Sequence, residues 1–184
     1  MTEFLMVSIP NKEVKARIEL LDALLLTDKD VEIIETERKN VFKIVTKLNE
    51  NDFLHLVLSS LPRYIVRVVP IHKTCDLNKD EVIVSTLSLL DNLNSIEKIK
   101  VIFRYKKSSR NTFDPIKDKI IEAVKMKGFT LDATSPEVVL YLETIDAKVV
   151  ISLLRNTLPL SLYSLRRKAY KFVKHITEEK SKKK

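Results

Sequence analysis

The first 70 residues constrain the fold most, because their apolar residues switch between strand-like and helix-like spacing in a defined order. Strands are predicted at residues 4–9, 31–36, 41–47 and 64–69, and helices at residues 13–26 and 49–60. The resulting order, β-α-β-β-α-β, is the split βαβ arrangement of ferredoxin-like domains. The sequence therefore predicts a mixed α/β fold that begins with a ferredoxin-like domain.

The first predicted helix also has an expected cap and an expected inward face. Asn11 is a suitable capping residue just before the helical spacing begins. The apolar residues that recur at helical spacing, and that we expect to face inward, are Val14, Ile18, Leu21 and Leu25.

The second half has a different order of elements and is not a repeat of the first. Helices are predicted at residues 76–93, 115–127 and 155–175, and strands at residues 98–106, 137–143 and 148–153. In the middle helix we expect Asp114 to be the N-cap, Pro115 the first helical residue and Gly128 the residue just past the end. A tight turn is expected in the sequence TIDA, between the last two strands. The pattern indicates a second α/β unit followed by a basic helix.

The net charge of +8 is concentrated near the C-terminus. Residues 156–184 contain nine bases and two acids, a net charge of +7, and the bases include Arg166, Arg167 and Lys168. The closing run KSKKK is either a solubilising tail or an arm that neutralises phosphates.

A second basic stretch, FRYKKSSRN, begins as a strand and continues as a polar connection. Lys100, Arg104 and Lys106 share one face of the predicted strand, because side chains alternate along a strand. The connection adds Lys107, Ser109 and Arg110. Such a stretch is either an ordinary solvated loop or a site that binds the phosphates and 2′-hydroxyls of RNA.

The sequence offers little for catalysis. Gly128 is the only glycine, so neither a P-loop nor a G-x-G-x-x-G fingerprint can form. His72 and Cys75 supply only half of a zinc site, so we expect neither a metal nor a cofactor. We therefore expect a protein that is not an enzyme.

Three features indicate a cytoplasmic protein. The single cysteine cannot close an internal disulfide, which fits a reducing compartment. The first residues do not have the pattern of a signal peptide, and the longest apolar run, residues 138–142, is far shorter than a membrane span. No membrane partner is expected.

Three segments resemble a known family. They are RYIVRVVPIHKTC, KIKVIFRYKKSSRN and FDPIKDKIIEAVKMKGFTLDATSPEVVLYLETIDAKVVISLL. Their order and spacing resemble a THUMP domain, and the whole chain is similar to the stand-alone THUMP proteins that partner the tRNA cytidine acetyltransferase. The chain departs from the family's usual turn at Ser135 and Glu137, where the family often has Asn and Asp. Both residues suit a turn, so the departure concerns a ligand contact and not the fold.

The resemblance implies a domain division and a function. The domains would be a ferredoxin-like domain at residues 1–70, a THUMP domain at 71–155 and a basic helix with a Lys-rich tail at 156–184. The protein would bind the acceptor stem and 3′ end of tRNA, with no DNA partner expected. It would present the tRNA to a separate enzyme, an acetyltransferase that forms N4-acetylcytidine in the D-arm.

The residues expected to contact RNA combine the basic stretches with positions that the family places nearby. They are Arg63, Arg67, Lys100, Arg104, Lys106, Lys107, Ser109, Arg110, Arg155, Arg166, Arg167 and Lys168. Two other functions stay open at this point. The chain could be the RNA-binding subunit of a methyltransferase or thiouridine synthetase, or a protein-interaction module that does not bind RNA.

Overall fold

The protein contains a four-stranded and a five-stranded sheet, and α-helices cover the outer face of each. The structure is a computed structural model that describes residues 1–93, 97–105 and 110–155. The elements of the first sheet are β1 (Thr2–Ser8), α1 (Glu13–Leu24), β2 (Glu32–Glu35), β3 (Val41–Thr46), α2 (Glu50–Ser59) and β4 (Ile65–Pro70). Its strand order is β2-β3-β1-β4, with every neighbouring pair antiparallel. The predicted β-α-β-β-α-β order is therefore confirmed.

The second sheet has five strands. Its elements are β5 (Lys73–Asp76), α3 (Lys79–Leu90), β6 (Lys98–Arg104), α4 (Arg110–Met126), β7 (Thr130–Leu131), β8 (Val138–Ile145) and β9 (Lys148–Arg155). The strand order is β5-β9-β8-β6-β7, with β6 parallel to β7 and β8 and the remaining pairs antiparallel. The short strands β5 and β7 were not predicted, and the predicted helix at 155–175 lies almost entirely outside the described residues.

The two sheets pack against each other through the faces that their helices do not cover. Leu5 of β1 and Val150 of β9 belong to one buried cluster between the sheets, and Val69 of β4 and Tyr141 of β8 belong to another. The opposite face of each sheet is covered by its own helices, α1 and α2 or α3 and α4. Every residue of β8 is therefore buried, because this strand has a covered face on each side.

The structure corrects the predicted start of α1. Asn11 is not the cap: it takes a left-handed conformation with φ 62°, and its N–H donates to Glu13 Oε1 at 2.9 Å. Lys12 occupies the N-cap position instead. Asparagine tolerates the left-handed region better than most residues, so Asn11 turns the chain between β1 and α1.

The predicted inward face of α1 was also wrong. The buried residues of this helix are Ala16, Leu20 and Leu24. Val14, Ile18 and Leu25 are instead exposed to 69%, 52% and 43%. Because α1 carries two apolar stripes, helical spacing alone did not decide which one faces the sheet.

Helix α4 begins earlier than predicted. Asp114 and Pro115 lie inside the helix, which the structure describes from Arg110. Proline within the first turns removes one backbone hydrogen bond, but Phe113 is fully buried and compensates for that loss. The centroid of the Phe113 ring lies 5.9 Å from that of Phe103 and 5.2 Å from that of Tyr105.

Two predicted chain reversals are confirmed. Gly128, at φ 87°, follows the end of α4, and the N–H groups of Gly128 and Phe129 donate to Lys125 and Val124 in a Schellman arrangement. Asp146 and Ala147, both with positive φ, form the two-residue turn between β8 and β9.

None of the helices within the described ranges has the length and apolar character that a bilayer crossing requires.

Candidate nucleic-acid interface

A cleft of about 880 Å³ opens where the two sheets meet. The first sheet and its connections line it with Ser8, Arg38, Asn40 and Arg67, among others. The second sheet lines it with Ile102, Phe103, Arg104, Tyr105, Tyr141 and Glu143. Arg67 and Arg104, two of the residues predicted to contact RNA, therefore meet in one cleft.

The floor of the cleft is a charge network centred on Glu143. This carboxylate is 1% exposed and accepts hydrogen bonds from Arg38 Nη2 at 2.5 Å and Arg67 Nη2 at 2.8 Å. The hydroxyl of Tyr141 donates to the same carboxylate, and the Arg67 guanidinium lies 5.4 Å from the centroid of the Tyr141 ring. Since Arg38 and Arg67 come from the first sheet and Glu143 from the second, the network joins the two sheets.

The surroundings set the proton affinities of the network. Burial lowers the pKa of Arg67, whereas Tyr141 and Glu143 raise it and the positive charge of Arg104 lowers it further. Arginine side chains remain protonated in proteins, so Arg67 is a cation paired with Glu143. Burial and the charge of Glu143 raise the pKa of Tyr141, so its hydroxyl remains a donor.

The network leaves an excess of positive charge and unused donors. Three arginines, Arg38, Arg67 and Arg104, line the described part of the cleft together with one acid, Glu143. Among the described side chains, the buried Nε atoms of Arg38 and Arg67 have no hydrogen-bond partner. A site with surplus guanidinium charge suits an anion such as a phosphate.

A β-bulge places Arg67 in the cleft. The pairing of β4 with β1 shifts between Val7 and Ser8, so that Val7 pairs with Arg67 and Ser8 pairs with Ile65. Ile65 consequently belongs to the core under α1 and α2, while Arg67 contacts the second sheet. Without the extra residue the two side chains would share one face, because the period of a strand is two.

Three described residues of the predicted basic stretch, Phe103, Arg104 and Tyr105, line the cleft, and Asp114 links Tyr105 to Arg110. Arg104 is exposed, and the Tyr105 hydroxyl donates to Asp114 Oδ1 at 2.8 Å. Arg110 Nε donates to Asp114 Oδ2 at 3.2 Å. Asp114, which was predicted to be a cap, therefore holds Arg110 next to the end of β6. The hydrogen bonds from Tyr105 and then from Arg110 lower the pKa of Asp114.

The other predicted residues lie outside the cleft or outside the described ranges. Lys100 is on the same face of β6 as Arg104, and its Nζ donates to the Ala133 carbonyl at 3.1 Å. Arg63 precedes β4 and Arg155 ends β9, and neither lines the cleft. The residues outside the described ranges are Lys106, Lys107, Ser109, Arg166, Arg167 and Lys168.

Sequence reasoning missed Arg38, Asn40, Tyr141 and Glu143. A signal for Glu143 was present, because it is an acid at the end of the apolar run VVLYL. A buried acid requires a cationic or hydrogen-bonding partner, and Arg38 in the polar ERKN connection was a candidate. Only the packing of the two sheets shows that these two residues meet.

No metal site is found in the described ranges. In residues 1–93, 97–105 and 110–155, no three His, Cys, Asp or Glu side chains are grouped as metal ligands. His72 contacts Glu50 through Nε2 at 3.1 Å and accepts from the Leu153 N–H through Nδ1 at 2.9 Å. The hydrogen bond from Leu153 fixes the proton of neutral His72 on Nε2.

Comparison with known proteins finds similar structures but no match in sequence. No protein-family model matches the sequence, and no curated protein matches it either. PH1313 from Pyrococcus horikoshii Ot3 is similar with a TM-score of 0.63 at 14% identity, over 88% of this chain and 57% of that protein. TrmN from Thermus thermophilus has a TM-score of 0.58 at 15% identity, over 88% of this chain and 47% of TrmN.

A third solved structure is a 4-thiouridine synthetase in complex with RNA and with bound ATP. It has a TM-score of 0.50 at 13% identity, over 84% of this chain and 41% of the synthetase. The chain thus spans 41% to 57% of the length of these proteins. At such low identity the likeness establishes a shared fold, and it supports the THUMP-like fold that the sequence resemblance implied.

Proposed function

We propose that the protein binds tRNA and presents it to a separate modification enzyme. The observation that carries this proposal is the cleft between the sheets, where three arginines and one buried acid leave surplus positive charge beside the exposed end of β6. Phosphate contacts of this kind fix the position of an RNA, and the neighbouring side chains then contact its sugars and bases.

The arrangement suits an RNA backbone better than a small metabolite. Arg104 is exposed in the cleft lining and Arg110 is exposed beside it on Asp114, whereas Arg38 and Arg67 supply charge from the floor. A chain of phosphates can follow this line of cations from the rim into the cleft. In this proposal the unpaired 3′ end of a tRNA enters the cleft, and the acceptor stem remains outside.

The comparisons add a second line of support. A 4-thiouridine synthetase that shares the fold was solved in complex with RNA. The RNA in that complex supports RNA binding by the shared fold, and we propose that a separate enzyme carries out the modification chemistry. The enzyme that it serves, by the sequence resemblance, is an acetyltransferase that forms N4-acetylcytidine in the D-arm.

The RNA-binding part of the proposal is tested by tRNA affinity across a salt series. The protein is titrated with total tRNA, tRNA lacking its 3′ CCA and an RNA duplex. Changing Arg104, Lys106 and Arg110 to Ala should weaken tRNA binding and flatten its salt dependence, because fewer counterions are released. A charge-matched control changes Lys79, Lys125 and Lys148, which are exposed and do not line the cleft, to Ala.

Two results would contradict RNA binding at the cleft. One is equal binding of all three RNAs, and the other is an equal loss in the control variant and the cleft variant. Either result would mean that the basic charge attracts nucleic acid without a defined site.

The partner enzyme is tested separately. Cells lacking the protein should lose N4-acetylcytidine from tRNA, as measured by mass spectrometry of nucleosides. A loss of 4-thiouridine or of a methylated nucleoside would instead assign the protein to a thiouridine synthetase or a methyltransferase. No change in any modified nucleoside would refute the adaptor function.

A further inference from the structure

The outer face of α1 carries an apolar stripe, which we call the α1 seam. Its members are Val14, Ile18, Leu21 and Leu25. Val14 is 69% exposed, Ile18 52% and Leu25 43%, while Leu21 is half-buried. In the part of the chain that the structure describes, the seam is therefore left open to solvent.

The seam is part of a concentration of exposed apolar residues. Leu26, directly after the seam, is 93% exposed, and Leu61, near α1 in the connection from α2 to β4, is 74% exposed. Single exposed apolar residues are common on protein surfaces, but a contiguous group on one helix usually marks an interaction site.

The spacing of the seam indicates which kind of partner fits it. Its members are separated by four, three and four residues, which is the a/d spacing of a coiled-coil interface. A helix with such a seam packs best against another helix with the same spacing. A second copy of α1 satisfies this condition, because it presents the same spacing of apolar residues.

The charges beside the seam favour an antiparallel pair. Lys15 and Asp22 each follow a seam residue directly and lie on the same flank of the helix, seven residues apart. When two such helices run antiparallel, the same flanks face each other, and Lys15 of each copy comes opposite Asp22 of the other. On the other flank, Arg17 is already bound to Glu35 of its own chain at 2.8 Å.

We propose that the protein forms a two-fold symmetric dimer in which the α1 seams of two copies pack antiparallel. The interface is isologous, because each copy contributes the same surface. A single helix pair buries less surface than the roughly 1,200 Å² of a stable interface, so dissociation constants of about 1–100 µM are expected. This inference does not depend on RNA binding, because the seam and the cleft share no residue.

The test is sedimentation equilibrium of the full chain between about 1 and 500 µM, which brackets that affinity. Ile18→Glu places a carboxylate from each copy at the centre of the seam and should weaken dimerisation at least about tenfold. Val84→Glu is the matched control, because Val84 is 65% exposed on α3 and lies outside the seam. It should leave the dissociation constant unchanged, and circular dichroism would show that both variants fold.

A charge exchange tests the antiparallel geometry. Lys15→Glu and Asp22→Lys should each weaken the dimer about fivefold, because two attractive pairs become repulsive. The double variant should return to within about twofold of the wild type, since it restores both pairs in reverse. Failure of this rescue, a wild type that stays monomeric throughout, or a dimer indifferent to Ile18→Glu would overturn the proposal.

Discussion

Replacement of Glu143 by Gln tests whether this residue holds the two sheets together by balancing charge. The substitution keeps the size of the side chain but removes its negative charge. Arg38 and Arg67 would then lie close together with no counter-ion, and the Tyr141 hydroxyl would lose a charged acceptor. We therefore expect a large loss of stability from a change of one oxygen to nitrogen.

The magnitude follows from the burial of the partners. Removing one member of a buried ion pair costs about 3–5 kcal/mol, because the remaining charge is left without compensation. The side chain of Arg67 is only 11% exposed, but that of Arg38 is 23% exposed and reaches some water. This partial solvation places the expected cost near the lower end, at about 3 kcal/mol.

Urea unfolding at neutral pH measures this cost as a change in the midpoint with an unchanged slope. Glu122→Gln is the matched control, because Glu122 pairs with Lys119 at 2.6 Å on the exposed surface of α4. Such a surface pair contributes about 0–1 kcal/mol. A loss below about 1 kcal/mol in Glu143→Gln would refute the role of Glu143 as the counter-ion of both arginines.

Two further predictions concern the cores of the two halves. Asp28 accepts hydrogen bonds from Thr46, Asp30 and Lys47, and the Thr46 bond is the main reason that its pKa is lowered. Because the folded pKa is depressed, this stability is present above the unfolded pKa and is lost as pH falls through the folded value. Asp28→Asn should therefore have a lower urea midpoint than the wild type at pH 7. The difference between the two midpoints should shrink below about pH 4. Phe113→Ala should cost about 3–5 kcal/mol in urea unfolding, since it removes a fully buried ring. A cost below about 1 kcal/mol would contradict the account of how α4 extends in front of Pro115.

Local sequence patterns predicted those features that depend on neighbours along the chain. The β-α-β-β-α-β order followed from apolar spacing, because one buried face imposes a period on each element. Two chain reversals were predictable for a similar reason. The positive φ after α4 favours a glycine, which is Gly128, and the tight turn at Asp146 and Ala147 follows from the short connection between two strands.

Features that depend on how the elements pack were not predictable in this way. Ala16 was not chosen as a core residue of α1, although its small side chain belongs to the buried stripe. The start of α4 was misplaced because Phe113 gains contacts with Phe103 and Tyr105 that lie outside its own helix. In both cases tertiary contacts overrode a local preference that was otherwise reasonable.

The candidate site shows the same division. Arg104 and Arg110 were predicted from the basic stretch; Arg104 lines the cleft, and Arg110 contacts Asp114, which also accepts a hydrogen bond from Tyr105 in the cleft lining. Arg38 was missed because its partner, Glu143, is 105 residues away in sequence. The sequence can indicate that a buried acid requires a base, but the identity of that base depends on how the two sheets meet.

If the cleft binds RNA as proposed, Glu143 has opposite effects on stability and on binding. It neutralises one of three arginine charges in the cleft, so its removal should destabilise the fold and increase the attraction for phosphates. Glu143→Gln is therefore expected to unfold more easily in the absence of RNA and to bind tRNA with a steeper salt dependence. Saturating tRNA should recover part of the lost stability, because a ligand at 100 times its dissociation constant stabilises the folded state by about 2.7 kcal/mol. Parallel losses of stability and of tRNA affinity would instead mean that Glu143 serves the site only by holding Arg38 and Arg67 in place.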